Sequence, residues 1–356
     1  MLAPRSVGLS CARHPAPYVG AARILHRLDL ARCGVGMGAP NLATPTYFPA
    51  VSSTCSLGPP EVFIRLLTEA AYPRALVSAY DCKHRIDGGL SKAAALLSRL
   101  QGAGCTVLLD SGLFECQVLG IEDWSADNHI VVASALQHDL LLSYDGPVPA
   151  SGARGVPSDG KRQDDPRPSP LLRIIHGRNR EAIVGEARLA VSEGASVGIA
   201  IPDRECGPNL LERMRTVCAI RRAMNHRDEL LLLHILGCGN PVVMSVYALA
   251  GADSYDSLDW VQGAVDIRTL TVTDPVLLPS TGCKCRICVD LPGPDRQRAV
   301  LHNLLFYQDF GTRLRGMIRD RTVSDFLQEF LGKERTAQLV ETANEGEAKE
   351  RGTRAG

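Results

Sequence analysis

The chain has 356 residues, of which 45% are hydrophobic and 22% charged, an ordinary globular composition that fits one large α/β barrel or two average domains. Its 39 basic and 39 acidic residues cancel, which excludes a global basic field and leaves any nucleic-acid contact to a local patch. No run approaches the ~20 apolar residues of a membrane-spanning helix, so no membrane partner is expected.

Residues 1–20 carry Pro, Gly and Ser without periodicity and are expected to form a poorly ordered leader. Arg5 and Arg13 flank no long apolar core of the kind a secretory signal has. From Thr46 an alternation begins. Short apolar or β-rich runs are predicted as strands at Tyr47-Val51, Ala75-Tyr80, Cys105-Asp110, Asp139-Asp145, Leu171-His176, Ala195-Ile201, Leu230-Leu236 and Asp253-Leu258. Amphipathic stretches between them predict helices at Pro60-Ala70, Leu90-Leu100, Ala126-Leu136, Arg180-Ser192, Pro208-Met224 and Pro241-Ala250. Strands alternating with helices argue for βαβ units and a parallel sheet. Eight of them favour closure into a (β/α)8 barrel of the TIM type, with a C-terminal metal-binding subdomain, over an open doubly wound sheet. The barrel unit is expected over residues 21–332.

Two segments depart from the alternation. Residues 146–170 contain six prolines with Gly, Ser and mixed charge, and read as a flexible insert in a βα loop. Residues 333–356 are charged and small, and are expected to be a flexible tail. After the eighth strand comes Gly282-Cys283-Lys284-Cys285-Arg286-Ile287-Cys288, at the start of a subdomain spanning about 281–310. Spacers of one and two residues are too short for these thiols to pair as disulfides. Together with His302, the one histidine that follows, Cys283, Cys285 and Cys288 make a Cys3His set suited to a closed, structural Zn2+ site. Four protein ligands leave no position open for substrate. The remaining cysteines sit mostly in apolar stretches, among them Cys105, Cys218 and Cys238, as in a reduced cytoplasmic interior.

In such a barrel chemistry sits at the C-terminal ends of the strands. There the sequence places Asp110-Ser111-Gly112, Tyr144-Asp145-Gly146, Ile175-His176-Gly177, Leu236-Gly237-Cys238-Gly239-Asn240-Pro241 and Tyr255-Asp256-Ser257. A single Asp at a strand end is as readily a helix cap or turn former, and Asp81 is left to that role. Asp110, Asp145 and Asp256 together, beside glycines that let a flat ligand approach, point further. Two carboxylates can divide substitution at a sugar carbon between nucleophile and acid/base. A third can read the amino edge of a heterocycle.

These residues carry a resemblance. Asp110-Ser111-Gly112-Leu113-Phe114, Tyr144-Asp145, the Gly237–Pro241 turn, Gly251-Ala252-Asp253-Ser254-Tyr255-Asp256-Ser257, Cys283-x-Cys285-x-x-Cys288 and His302-Asn303-Leu304 together resemble the queuine/archaeosine tRNA-guanine transglycosylase family over roughly residues 40–310. The resemblance implies a zinc-bearing (β/α)8 pentosyltransferase. Such an enzyme exchanges guanine in a nucleic acid for a free 7-deazaguanine base through a covalent Asp-glycosyl intermediate. Asp256 would be the nucleophile and Asp110 the general acid/base. Asp145 and Ser111 would hold the base edge, with Gly198 and Ile199 as backbone contacts to the heterocycle. Cys283, Cys285, Cys288 and His302 would be the zinc ligands. The implied partner is tRNA, or DNA as in some relatives, and the implied assembly a homodimer through the zinc region.

Departures from the family pattern bear on substrate choice. Glu115 stands where the family has Gln, and His176 where it has the Gln of Val-Gln-Gly. His176 is either a base contact or a structural partner, with a charge that can change near neutral pH. Ser257-Leu258-Asp259-Trp260-Val261-Gln262 replaces the Pro-Thr-Arg segment of the bacterial enzymes. Lys284, Arg286, Arg296 and Arg298, then Arg313, Arg315, Arg319 and Arg321, are either phosphate contacts or a solvated face. An inactive partner subunit is the rival from another class, and retention of all three aspartates argues against it.

Overall fold

Strands of Leu, Ile and Val that bury both faces need helices outside and a filled interior within. The computed structural model meets that need with a closed parallel barrel. It describes residues 27–28, 42–55, 57–145, 171–193, 197–225 and 231–354. The barrel strands are β1 (Thr46–Val51), β2 (Arg74–Ser78), β3 (Thr106–Asp110), β4 (Leu140–Leu142), β5 (Leu171–Ile174), β6 (Gly198–Pro202), β7 (Leu232–Leu236) and β8 (Ser254–Ser257). Each pairs with the next, and β8 closes on β1 through Ser254↔Thr46 to Ser257↔Pro49. The eight-stranded barrel expected from the alternation is therefore present.

The period of two sorts side chains between two cores. Phe48, Leu76, Leu108, Leu140, Leu172, Ala200 and Leu232 fill the barrel. Their neighbours Val77, Leu109, Leu141, Ile199 and Leu233 face outward into the larger core under the helices. Continued past the apolar filling, the inward parity brings Ser78, Asp110, His234 and Asp256 towards the barrel axis.

The six predicted helices appear as α1 (Pro60–Glu69), α3 (Gly89–Gly102), α5 (Ala126–Ala135), α6 (Arg180–Glu193), α7 (Leu210–Met224) and α8 (Pro241–Leu249). Two short helices were not foreseen, α2 (Ala79–His84) and α4 (Leu113–Leu119). The first starts directly after β2 and the second starts two residues beyond β3, and neither is long enough to show a period. After β8 come α9 (Asp259–Gln262), a 3-10 turn at Pro275–Thr281, α10 (Arg286–Asp290), α11 (Asp295–Asp320), α12 (Val323–Leu331) and α13 (Lys333–Arg354). The expected flexible tail is corrected by α13, which packs on α7. Its buried Leu339 and Ala343 give this otherwise charged segment an apolar side. The leader 1–20 and the insert 146–170 lie outside the described residues. Among the described residues no helix is long and apolar enough to cross a membrane.

Candidate active site and metal centre

Asp110 ends β3, and its Oδ2 accepts from the Gly112 backbone N–H at 3.2 Å. Gly112 has φ 82°, and a Cβ there would meet the Tyr80 backbone nitrogen at 2.5 Å. This glycine therefore serves the tight passage from β3 into α4 against α2, not only ligand access. Burial, then the charges of Glu115, Asp145 and Asp256, hold the Asp110 carboxyl well above the ordinary carboxylate range. Burial and like charges thus favour its neutral form over its ionised one.

Behind Asp110 lie two carboxyls whose place the sequence did not disclose. Glu115 is buried between the Ser52 hydroxyl and the Ser78 hydroxyl, the latter at 2.8 Å. Ser78 stands directly across the β2–β3 ladder from Asp110. Asp81, assigned above to a turn, is fully buried and accepts from the Ser53 backbone N–H and hydroxyl. The cap of α2 is Ser78 instead. Burial, then Glu115, raises the Asp81 carboxyl to about 7. Burial raises Glu115 as well, with Ser52 and Ser78 opposing.

Asp256 on β8 is 7% exposed. Its Oδ1 accepts from His234 Nε2–H at 3.1 Å and from the Gly237 backbone N–H at 3.1 Å. Ser254 Oγ, 2.8 Å from His234 Nδ1, sets the tautomer by donating to it. Gly237 adopts φ 73° to turn its N–H towards the carboxylate. Oδ2 accepts no hydrogen bond among the described residues. His234 had no motif to betray it; the inward parity of β7, two residues past Leu232, was the available signal.

Asp145, just beyond β4, accepts from the Ser111 hydroxyl through Oδ1 at 2.8 Å, and its Oδ2 lies 3.7 Å from His176 Nε2. His176 Nδ1–H in turn meets Glu205 Oε1 at 2.9 Å and Oε2 at 3.1 Å. The Asp145 carboxylate 3.7 Å away, then the hydrogen bond with Glu205, lifts His176 to about 9 against the opposing effect of burial. His176 is thus an imidazolium between two carboxylates, and Glu205 is a rim residue that sequence reasoning missed.

Gly198 and Ile199 are not brought to the mouth. They open β6 at its N-terminal end, the opposite end of a parallel barrel from Asp110 and Asp256. Ile199 faces outward into the helix-covered core. A Cβ at Gly198 would meet the Leu232 carbonyl oxygen at 2.2 Å, so strand packing requires this glycine. The β6 residues near the mouth are Ile201, Pro202 and the Asp203–Glu205 turn.

Cys283, Cys285, Cys288 and His302 converge as the spacing predicted. His302 Nδ1 is 3.6, 3.5 and 3.5 Å from the three Sγ atoms in turn. Bonds of about 2.0–2.3 Å to one tetrahedral cation place ligand atoms at roughly such separations. The donor set therefore fits a metal ion. His302 Nε2–H donates to the Val265 carbonyl at 2.9 Å, leaving Nδ1 as the ligand. The apolar support here is small, Ala264, Leu278 and Ala299, so a metal would supply much of the local stability.

Asn303 ties this centre to the chain that follows Asp256. Its Nδ2 donates to the carbonyls of Trp260 at 3.0 Å and Gly263 at 2.7 Å, and its Oδ1 accepts from Val265 N–H at 2.9 Å. Trp260, fully buried, donates to the Ala50 carbonyl at 2.8 Å. Of the candidate phosphate contacts, Lys284, Arg286 and Arg296 are exposed beside the metal centre. Arg298 pairs with Asp295, Arg319 with Asp320, and Arg315 donates to the Pro45 carbonyl.

No protein-family model matches the chain. It is similar to a curated tRNA-guanine(15) transglycosylase of Aeropyrum pernix, 23% identical over 344 residues, which cover 87% of this chain and 65% of the relative. A tRNA-guanine(15) transglycosylase of Archaeoglobus fulgidus is 22% identical over 200 residues, 51% of this chain and 40% of that protein. The chain spans less than two thirds of the length of either. Both names agree with the resemblance carried by the aspartate, glycine and cysteine motifs.

Proposed function

We propose that the chain is a pentosyltransferase that exchanges guanine in tRNA for a 7-deazaguanine base through a covalent bond to Asp256. One observation carries this reading. Asp256, with Oδ1 held by His234 and Gly237, shares the barrel mouth with Asp110, whose carboxyl burial and neighbouring charges raise.

Asp256 Oδ2 attacks C1′ of the sugar, and the electrons of the C1′–N9 bond leave with guanine as Asp110 delivers its proton to the departing base. The incoming base returns a proton to Asp110 and attacks C1′, and the Asp256 carboxylate leaves. One glycosidic bond breaks and a similar one forms, so no redox partner is needed. Asp145, oriented by Ser111 and His176, accepts from the N–H edge of the bound base. The base must leave its stack to reach the mouth, which favours a looped or single-stranded substrate. Lys284, Arg286 and Arg296 would position the phosphates.

The metal is assigned as zinc from its three thiolates and one imidazole. With all four positions taken, its role is to brace the region behind Asp256. The relatives' names favour tRNA.

The test is incorporation of radiolabelled guanine into tRNA and into DNA by the metal-loaded protein. Label in tRNA alone is expected, while label in DNA alone would move the proposal to a DNA base exchange. Asp256→Asn should lose activity by roughly three orders of magnitude or more. A folded parent that labels neither polymer, or a fully active Asp256→Asn, would overturn the reading.

A further inference from the structure

Glu205 belongs to no motif, yet it makes the most specific polar contact on the β5–β6 side of the rim. The Asp203–Glu205 turn follows β6 directly and brings the carboxylate over the end of β5. There Oε1 and Oε2 lie 2.9 and 3.1 Å from His176 Nδ1, and Oε2 also accepts from the Gly177 backbone N–H at 3.3 Å. On the other side of the ring, His176 Nε2 is 3.7 Å from Asp145 Oδ2, and Asp145 Oδ1 is held by Ser111. Residues from four successive strand ends, Ser111, Asp145, His176 and Glu205, thus form one polar chain along the rim. The charged groups that act on His176 are Asp145 on the β4 side and Glu205 on the β6 side.

We infer that Glu205 is a positioning residue for base binding: by clasping His176 Nδ1–H it aims Nε2–H at Asp145 and fixes the carboxylate that meets the donor edge of the exchanged base. The inference rests on the transglycosylase reading and extends it to a residue outside the reacting groups. Without the clasp, a histidine near neutral pH would exchange tautomers and lose its second proton for much of the time. Asp145 would then be held by Ser111 alone.

The sign of the pH dependence follows. Below the ordinary histidine value near 6.5 the ring is charged with or without Glu205. Above it Asp145 holds part of the charge and Glu205 the rest, so without the clasp the ring loses its proton at a lower pH than about 9. Glu205→Gln retains an acceptor for Nδ1–H and removes the negative charge.

Two measurements test the inference: the NMR titration of His176, and kcat and KM for free guanine in label exchange between pH 6 and 9.5. In Glu205→Gln the His176 midpoint should fall by a unit or more. KM should rise roughly tenfold at pH 8, little at pH 6, with kcat changed less than about twofold. His176→Gln should make KM flat across that range. An unchanged His176 midpoint would overturn the clasp whatever the enzyme does. A shifted midpoint with an unchanged KM in an active enzyme would overturn the positioning role alone. A folded parent with no exchange would sink the transglycosylase reading and base positioning with it, while the titration still decides the clasp.

Discussion

Replacing Asn303 by Ala should uncouple the metal centre from the strand that bears Asp256. Asn303 is fully buried, and its amide satisfies the Trp260 and Gly263 carbonyls and the Val265 N–H. Truncation would strand three backbone groups around α9, the helix that follows β8. A buried group left without its partner costs about 1–3 kcal/mol. Allowing for water entering the vacated space, the three together should cost roughly 3–5 kcal/mol. For a domain of this size that corresponds to a fall of about 5–15 °C in Tm. Val265 also orients His302 through its carbonyl, so metal affinity should fall in parallel. Calorimetry of the metal-loaded protein, with metal content measured after dialysis against a weak chelator, reads both effects. A Tm within about 2 °C of the parent and full retention of metal would refute the claim that Asn303 joins the two regions.

Three further outcomes are expected. Asp81 is held at about 7 by burial and then by Glu115. As a raised carboxyl, it contributes stability that is full below its unfolded value of about 3.9 and is lost as pH rises through about 7. Asp81→Asn should therefore reduce the fall in unfolding free energy between pH 4 and 7 by about one proton in denaturant titrations, and an unaltered slope would contradict a protonated Asp81. Metal analysis of the parent should find about one ion per chain at the Cys3His centre, and Cys285→Ser should leave little after dialysis; equal content in both proteins would remove Cys285 as a ligand. Loss of that ion by chelation should lower Tm while leaving the barrel's circular dichroism largely intact, because the metal region has its own small core; collapse of the whole spectrum would show that the barrel depends on the metal.

The barrel was legible because local physics repeats eight times. Each short apolar run ended by a polar or glycine residue must be a strand buried on both faces, and each amphipathic stretch a helix that covers it. The metal ligands were equally legible: three thiols within six positions can do little else but converge, and one histidine remained to complete them. Asp110, Asp145 and Asp256 could be placed at one mouth because strand ends in a parallel barrel share a side. Gly198 and Ile199 open β6, a placement a motif cannot give because it carries no strand register. Two residues along β6 separate the floor of the barrel from its mouth, and only the paired strands decide which is which. Asp81, Glu115, His234 and Glu205 lay further from view. Their roles come from partners on other strands: Ser53 and Ser52 from the loop after β1, Asp256 on β8, His176 after β5. The sequence by itself determined the barrel and the convergence of Cys283, Cys285, Cys288 and His302, since these follow from period and spacing. Which carboxyl is raised, and which oxygen of Asp256 is held by His234 and Gly237, was decided by tertiary structure, because burial, charge proximity and these hydrogen bonds exist only once the strand ends have been brought together.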